Sequence, residues 1–414
     1  MIKKSYPLFL ILLFLGTSVF GKRMYVGPKE TYKSITSALA AAKNADSIFV
    51  LKGIYQEKNI ILDKSITLIG INYPILDGQG LYEILSIKSP NVTVTGFEII
   101  RCGISSIRDM AAIKVYDTHH IKITNNLIKK AFFGIYLQYS KNCQIQNNVI
   151  TAKGITEQES GNGIHCWNSS YLQIINNKIS GHRDGIYFEF VTHSKIAKNH
   201  SFKNMRYGLH FMFSNNDTYE GNRFTENGAG VAVMFSNHVN MFHNYFEKSW
   251  GDAAYGILLK EIAEGKIMYN HFSSNTMGVY MEGATNIQMK HNLFEKNGWA
   301  LKVQASCQNI NIEENNFLAN TFDVSTNGTL FLSNFQHNYW DKYDGYDLDK
   351  NQLGDVPYRP ISLFSVILEK NPTTLIMFRS FISVLLDKTE KNLPSLTPEQ
   401  LKDEHPRMKP IKWI

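Results

Sequence analysis

Met212 and Met234 are the side chains best suited to holding a soft metal, and they stand 22 residues apart in two copies of one motif. Met212-Phe213-Ser214-Asn215 is echoed by Met234-Phe235-Ser236-Asn237, and His210 precedes the first methionine by two residues. Thioether and imidazole together suit Cu(I), whereas carboxylates and carbonyls suit harder ions. The same residue types also make an adaptable protein-docking surface, because methionine repacks against many shapes. Either reading requires that the elements carrying these residues place them on one outward face.

Those elements are repeats. An Asn followed two residues later by an apolar residue recurs at Asn126, Asn148, Asn177, Asn222, Asn244, Asn270, Asn292, Asn315 and Asn338, with Asn199 a looser member. The intervals are 22 or 23 residues, apart from 29 and 26 where "TAKGITEQES" and "EKSWGDAA" read as inserted loops. Gly134, Gly163, Gly185, Gly208, Gly230, Gly256 and Gly278 run in step, each heading an alternating strand such as "GIYFEF". Strands this short cannot bury a face alone, so they must stack coil upon coil and pair in parallel at about 4.8 Å per coil. Asparagines one coil apart can then form a ladder, and they tolerate the left-handed backbone of a sharp corner. A leucine-rich repeat would need a leucine framework that is missing here. The expected fold is all-β: a right-handed parallel β-helix, pectate-lyase-like, with an N-terminal capping helix and a C-terminal helical tail.

Each Gly-headed strand serves as a ruler. Residues one and three after Gly are apolar, as in Ile186/Phe188, Leu209/Phe211 and Val231/Val233, and should point inward. Residues two and four should face out, giving Tyr136/Gln138, His165/Trp167, Tyr187/Glu189, His210/Met212, Ala232/Met234, Leu258/Lys260 and Tyr280/Glu282. This stripe carries His210, Met212 and Met234 as candidate Cu(I) ligands. His165, Trp167, Tyr187, Glu189, Lys260, Tyr280 and Glu282 form the candidate partner-binding surface around them. His238, His243, His271 and His291 read as turn histidines and are not assigned to a metal.

The totals set bounds. A chain of 414 residues with 43% hydrophobic and 12% aromatic residues is folded, not disordered. "MIKKSYPLFLILLFLGTSVFG" (1–21) reads as a secretory signal, with Lys3 and Lys4 before an apolar core. Its removal lowers the formal charge from +7 to +5, since it holds two lysines and no acid. A mild excess spread along the chain gives no argument for nucleic acid. Cys102, Cys143, Cys166 and Cys307 form no CxxC pair and read as buried free thiols.

Residues 22–360 are expected to form the β-helix with its caps, and 361–414 a separate tail. "TYKSITSALAAAKNAD" (31–46) reads as a helix covering the first coil through Ile35, Leu39 and Ala42. Asp347, Asp349, Asn351 and Asp355 have the alternate spacing of a calcium loop. They lack its central glycine and final Glu, so a turn-rich structural cap is preferred over calcium. Asn371 and Pro372 read as the N-cap and first position of a helix apolar nearly all round, with Leu375, Phe378, Phe381 and Leu385 as candidate transporter-docking residues. Packing back on the β-helix and docking on a membrane partner or surface are both open for it. The polar segment "PSLTPEQLKDEHPRMKPIKWI" is expected to be extended.

A polysaccharide lyase, hydrolase or epimerase, or a carbohydrate-binding protein, is the rival class. Glu189 and Glu282 should lie four coils apart, roughly 19 Å, too far for a paired-carboxylate glycosidase. Arg183, Asp184 and Arg206 are suitable for a lyase-like site, but no compact acid cluster accompanies them in sequence.

"DGIYFEFVTHSKIAKN", "YGLHFMFSNND", "GVAVMFSNHVNM", "YGILLKEI" and "NYWDKYDGYDLDKNQLGDVPYRP", with the segment from "LFSVILEKNP" onward, resemble the NosD family of nitrous oxide reductase maturation proteins over essentially the whole mature chain. The resemblance implies an exported, periplasmic CASH-type β-helix without an enzymatic reaction of its own. It implies partners too: the membrane subunit and ATPase of an ABC transporter, a copper chaperone lipoprotein and nitrous oxide reductase, whose copper-sulfide cluster is assembled.

Overall fold

The computed structural model describes residues 21–412 except 106, 155, 379 and 393–400, so residues 1–20 of the signal segment, Arg379 and the start of the polar tail lie outside the described residues. Three parallel sheets of 14, 12 and 13 strands wrap into a right-handed solenoid of about 14 turns. Strands in each sheet pair with the same position one coil away, as in Met212 with Met234 and Asn240 with Lys266. The β-helix expectation holds, and its coils begin well before Asn126, with Arg23–Val26 already paired to Ser47–Val50.

The ruler holds as well. Ile186, Phe188, Leu209, Phe211, Val231 and Val233 are fully buried inside the solenoid. The glycine column exists because adjacent coils nearly touch there: a Cβ on Gly208 would lie 2.7 Å from the Gly230 carbonyl oxygen, and one on Gly230 only 2.4 Å from that of Gly256. Phe224, Phe246, Phe272, Phe294, Phe317 and Trp340 stack face to face along the interior, with ring centroids 4.1–5.4 Å apart. One column of apolar residues thus becomes a continuous core that no single coil could build.

The asparagine ladder is continuous from Asn126 to Asn338, with Asn199 a full member. Asn222 gives its backbone N–H and its side-chain amide to Asn244 Oδ1 at 2.9 and 3.0 Å, and Asn244 repeats the pattern with Asn270. One expectation is corrected here. The left-handed corner falls on the residue before each ladder asparagine, such as Asn125, Asn147, His243 and His291, with φ between 55° and 56°. The ladder residue is occupied by hydrogen bonding, and its predecessor makes the turn.

At the N-terminal end, helix α1 (Ile35–Ala41) is capped by Ser34 Oγ and buries Ile35, Ala38 and Leu39. At the other end the apolar segment is not one helix. Helix α2 (Leu363–Lys370) is capped by Ser362, Pro372–Met377 is a 3₁₀ turn, and α3 spans Phe381–Asn392. Asn371 makes no N-cap hydrogen bond, because the chain turns tightly after Pro372 and its side chain accepts from Thr373 Oγ1 instead. No helix among the described residues is long and apolar enough to cross a membrane.

The tail departs most from expectation. Residues 401–412 fold back onto the last coil, and Asp403 is fully buried at the end of the asparagine ladder. Its carboxylate accepts from the backbone N–H groups of His337 and Asn338, the Asn338 amide and the Trp340 indole at 2.9–3.1 Å. An asparagine there would bring a donor with no further coil to receive it. A carboxylate only accepts, so it can terminate the ladder.

Candidate functional site

The stripe runs down the outer face of the 12-stranded sheet. Register pairs align Tyr136, His165, Tyr187, His210, Ala232, Leu258 and Tyr280 in one column, and Gln138, Trp167, Glu189, Met212, Met234, Lys260 and Glu282 in the next. Met212 and Met234 are register partners on adjacent strands, each half-buried. The Tyr187 hydroxyl lies 3.5 Å from Met212 Sδ and 3.4 Å from Glu189 Oε2 and gives its one proton to either. Burial and the neighbouring Glu189 push the Tyr187 phenol up to about 12, so it remains a donor.

Part of the first column is covered, with Tyr136, His210, Ala232 and Leu258 buried, which the alternation rule alone does not anticipate. His210 faces away from the core yet is only 4% exposed. The rings of Tyr187 and Tyr207 flank it at 4.9 and 4.8 Å. His165 stacks between Tyr136 at 4.4 Å and Tyr187 at 4.8 Å and accepts from the Asn162 amide at Nδ1. Burial, with Arg183 nearby, drives His165 down to about 3, which keeps it neutral. At the N-terminal part of this face Arg108, Asp109 and Met110 line a cavity with Lys114 and Tyr116.

Beside His210 lies a cluster that sequence spacing only hinted at. Arg206 grips Asp184 with both arms of its guanidinium, at 2.9 and 2.6 Å, and Arg183 Nε lies 3.8 Å from the same carboxylate. Asp184 is fully buried. Burial alone would raise its carboxyl; the His210 and Arg206 contacts outweigh this and hold it below the ordinary range. His210 Nδ1 is 3.4 Å from Arg206 Nη2 and 3.9 Å from Asp184 Oδ2, while His210 Nε2 is buried without a hydrogen-bond partner.

A second feature absent from the sequence-based site is an aromatic ridge. Phe190, Phe213 and Phe235 occupy left-handed corners, with φ of 54°, 49° and 52°, and stack at 5.2 and 5.1 Å. They are 46%, 39% and 41% exposed. Bulky residues rarely adopt this backbone, and besides Asn, Lys and Glu only a few corners among the described residues, such as Tyr139, Tyr171 and Tyr269, carry rings of comparable size. Trp167 joins Tyr139 at 4.7 Å in line with them. The signal for the ridge was the phenylalanine directly after the second outward residue of three successive strands, Glu189, Met212 and Met234.

The remaining candidates separate. Lys260 pairs with Glu282 at 3.7 Å on the exposed rim, and Tyr280 leans on Tyr255 at 5.3 Å. Glu189 and Glu282 are four register steps apart. Asp347, Asp349 and Asp355 accept from the turn N–H groups of Leu348, Asn351 and Gln352 at 2.6–3.1 Å, the work of a structural cap. Phe381, Ile376 and Leu385 are exposed at 80%, 89% and 51%, and Leu375 is exposed with them. Phe378 instead turns inward against Phe322 and Phe364, so it does not belong with that outward set. Among the described residues no three His, Cys, Asp or Glu side chains converge as a metal site. A metal on this surface would therefore rest on thioether sulfur with imidazole.

The chain matches the family profile described as periplasmic copper-binding protein (NosD) over residues 146–346, and that of the right-handed beta helix region over residues 53–161. Two relatives carry the name "Probable ABC transporter binding protein NosD". The one from Stutzerimonas stutzeri is 25% identical over 363 residues, covering 81% of this chain and 80% of that protein. The one from Pseudomonas aeruginosa is 26% identical over 382 residues, covering 85% and 86%. Among solved structures, a GH87 alpha-1,3-glucanase catalytic unit from Streptomyces thermodiastaticus aligns with TM-score 0.59 at 11% identity, covering 74% of this chain and 65% of that one. The mannuronan C-5 epimerase AlgE4 A-module from Azotobacter vinelandii aligns with TM-score 0.50 at 15% identity, covering 72% and 89%. These two share the fold.

Proposed function

We propose, from the premise that this chain is a NosD-like β-helix protein, that it is an exported periplasmic accessory factor which handles Cu(I) as cargo on its outer stripe. In this reading residues 1–21 direct export and the chain performs no reaction of its own. It works with the membrane subunit and ATPase of an ABC transporter and with a copper chaperone lipoprotein, toward assembly of the copper-sulfide site of nitrous oxide reductase. His210, Met212 and Met234 receive the metal. Trp167, Glu189, Lys260, Tyr280 and Glu282 frame the surface on which a carrier protein docks, together with the Phe190, Phe213 and Phe235 ridge.

The observation that carries this reading is the unpartnered Nε2 of a buried His210, on the same strand face as the two register-paired methionines. An orphaned buried acceptor or donor costs roughly 1–3 kcal/mol, which a ligand would recover. The donor set is soft, which fits Cu(I) and disfavours calcium or magnesium. The rival polysaccharide-enzyme reading has less support. Its carboxylate pair is four coils apart, and Asp184 is held by Arg206.

The test is anaerobic titration of the mature protein with Cu(I) against a chromogenic chelator. The wild type should take up the metal, and Met212→Ala/Met234→Ala should bind at least about tenfold more weakly, or roughly 1.4 kcal/mol. Equal binding by the two proteins overturns the metal reading of the stripe.

A further inference from the structure

We infer that the cavity at the N-terminal end of the outer stripe binds a small organic carboxylate, whose charge is taken by Lys114. Lys114 pairs in register with Tyr136, and Tyr116 with Gln138, so both columns of the stripe run on into this cavity of about 480 Å³. It lies four register steps from His210, roughly 19 Å at one strand spacing per step, and is therefore separate from the methionines. Its occupancy is independent of any metal there.

Three observations point to the ligand. The first is a buried cation short of acceptors. Lys114 is only 7% exposed, and its Nζ gives one hydrogen bond, to the Asp109 carbonyl oxygen at 3.0 Å. The same ammonium lies over the rings of Tyr116 and Tyr136, whose centroids are 5.0 and 4.6 Å away. Ring faces soften the cost of burying it, but two of its three N–H donors have no oxygen partner among the described residues. The second is that Glu83, on the same wall, is already engaged: Tyr116 Oη donates to it, 2.9 and 3.0 Å from its two oxygens. The third is the mouth, where the cavity-lining side chains of Leu81 and Ile107 are left 61% and 92% exposed.

These features select the class of ligand. A cation would find the Tyr116 and Tyr136 faces already taken by Lys114. A dianion would meet Glu83 and Asp109, which balance Lys114 and Arg108 and leave the wall formally neutral. A single carboxylate supplies the acceptors that Lys114 lacks, and an apolar body behind it covers Leu81 and Ile107.

Isothermal titration calorimetry of the mature protein tests the assignment, with benzoate as the probe and benzamide and inorganic phosphate as its neutral and dianionic controls. Benzoate should bind at least about tenfold more tightly than either control. Lys114→Met should weaken benzoate by about tenfold or more while keeping or raising the melting temperature, because the substitution removes a buried charge. Ile107→Ser, at an exposed side chain, should leave the melting temperature unchanged and weaken benzoate roughly threefold through the lost apolar contact. Three results overturn the assignment: a wild type that binds no benzoate, benzamide or phosphate bound as tightly as benzoate, or benzoate bound equally by the wild type and Lys114→Met.

Discussion

At the scale of single residues, the buried polar groups carry consequences for stability. Asp217 is fully buried inside the solenoid, where Oδ1 accepts from the Ser194 backbone N–H at 2.7 Å and Oδ2 has no partner. Burial pushes its carboxyl up to about 8, against a single opposing hydrogen bond. Between pH 4 and 8, approximately, the folded chain therefore keeps a proton that the unfolded chain has released, and stability falls as pH rises across that window. Asp217→Asn keeps the Oδ1 acceptor and removes the ionisation. Urea melts should show the wild type losing a few kcal/mol from about pH 4 to 8, with the variant nearly flat over the same range. Parallel pH profiles would mean that the carboxyl is hydrated. The candidate-site residues were legible from alternation as members of a column. The burial of His210 was not, because Tyr207 and Arg206, which cover it, precede the Gly-headed ruler.

At the scale of elements, the C-terminal region combines two jobs in one stretch. Residues 401–412 close the β-helix, and between the buried Ile361 and Leu401 helix α2 packs back on the last coils through Phe364, Leu368 and the Lys302–Glu369 ion pair, while Ile376, Phe381 and Leu385 stay exposed. Asp403→Ala removes the acceptor for four donors, and at roughly 0.5–1.5 kcal/mol each it should cost about 3 kcal/mol. Hydrogen exchange should find the Trp340 indole N–H newly unprotected; retained protection would mean that another group ends the ladder. For the same reason, a chain ended at Pro360 loses its ladder stop along with the helices, so point substitutions give the cleaner test of docking. Ile376→Ser/Phe381→Ser should leave the melting temperature unchanged, because both side chains are exposed, and should abolish co-purification with the transporter's membrane subunit. Phe378→Ser should instead lower the melting temperature, since Phe378 packs on Phe322 and Phe364. Full co-purification of the double variant would remove these residues from the docking surface. The sequence read Pro372 as the start of a helix and missed the 3₁₀ turn that it begins, and the return of the tail was not legible either, because a lone Asp in a polar segment carries no repeat signal.

At the scale of the whole molecule, the solenoid is nearly one-dimensional: each coil touches its two neighbours, and long-range order comes from columns. A lesion in the middle should therefore weaken both halves. Asn244 accepts two hydrogen bonds from Asn222 and gives three, to Asn270 Oδ1 twice and to the Tyr219 carbonyl. Asn244→Ala should cost at least about 3 kcal/mol and broaden the unfolding transition, whereas a sharp and unshifted melt would show the ladder to be energetically idle. The 22-residue interval, the inward apolar pairs, the glycine column and the outward face of Met212 and Met234 were all determined by the sequence alone. They follow from a fixed strand period and one coil per repeat, which leave the side chains no choice of face. What the tertiary structure decided is what covers that face and what ends it. Packing between Tyr187, Tyr207 and Arg206 turns His210 from a surface residue into a buried one, and a carboxylate more than 60 positions beyond Asn338 stops the ladder. The ladder stop depends on a separation that no period encodes, whereas the cover over His210 comes from residues one coil apart whose packing the repeat aligns but does not direct.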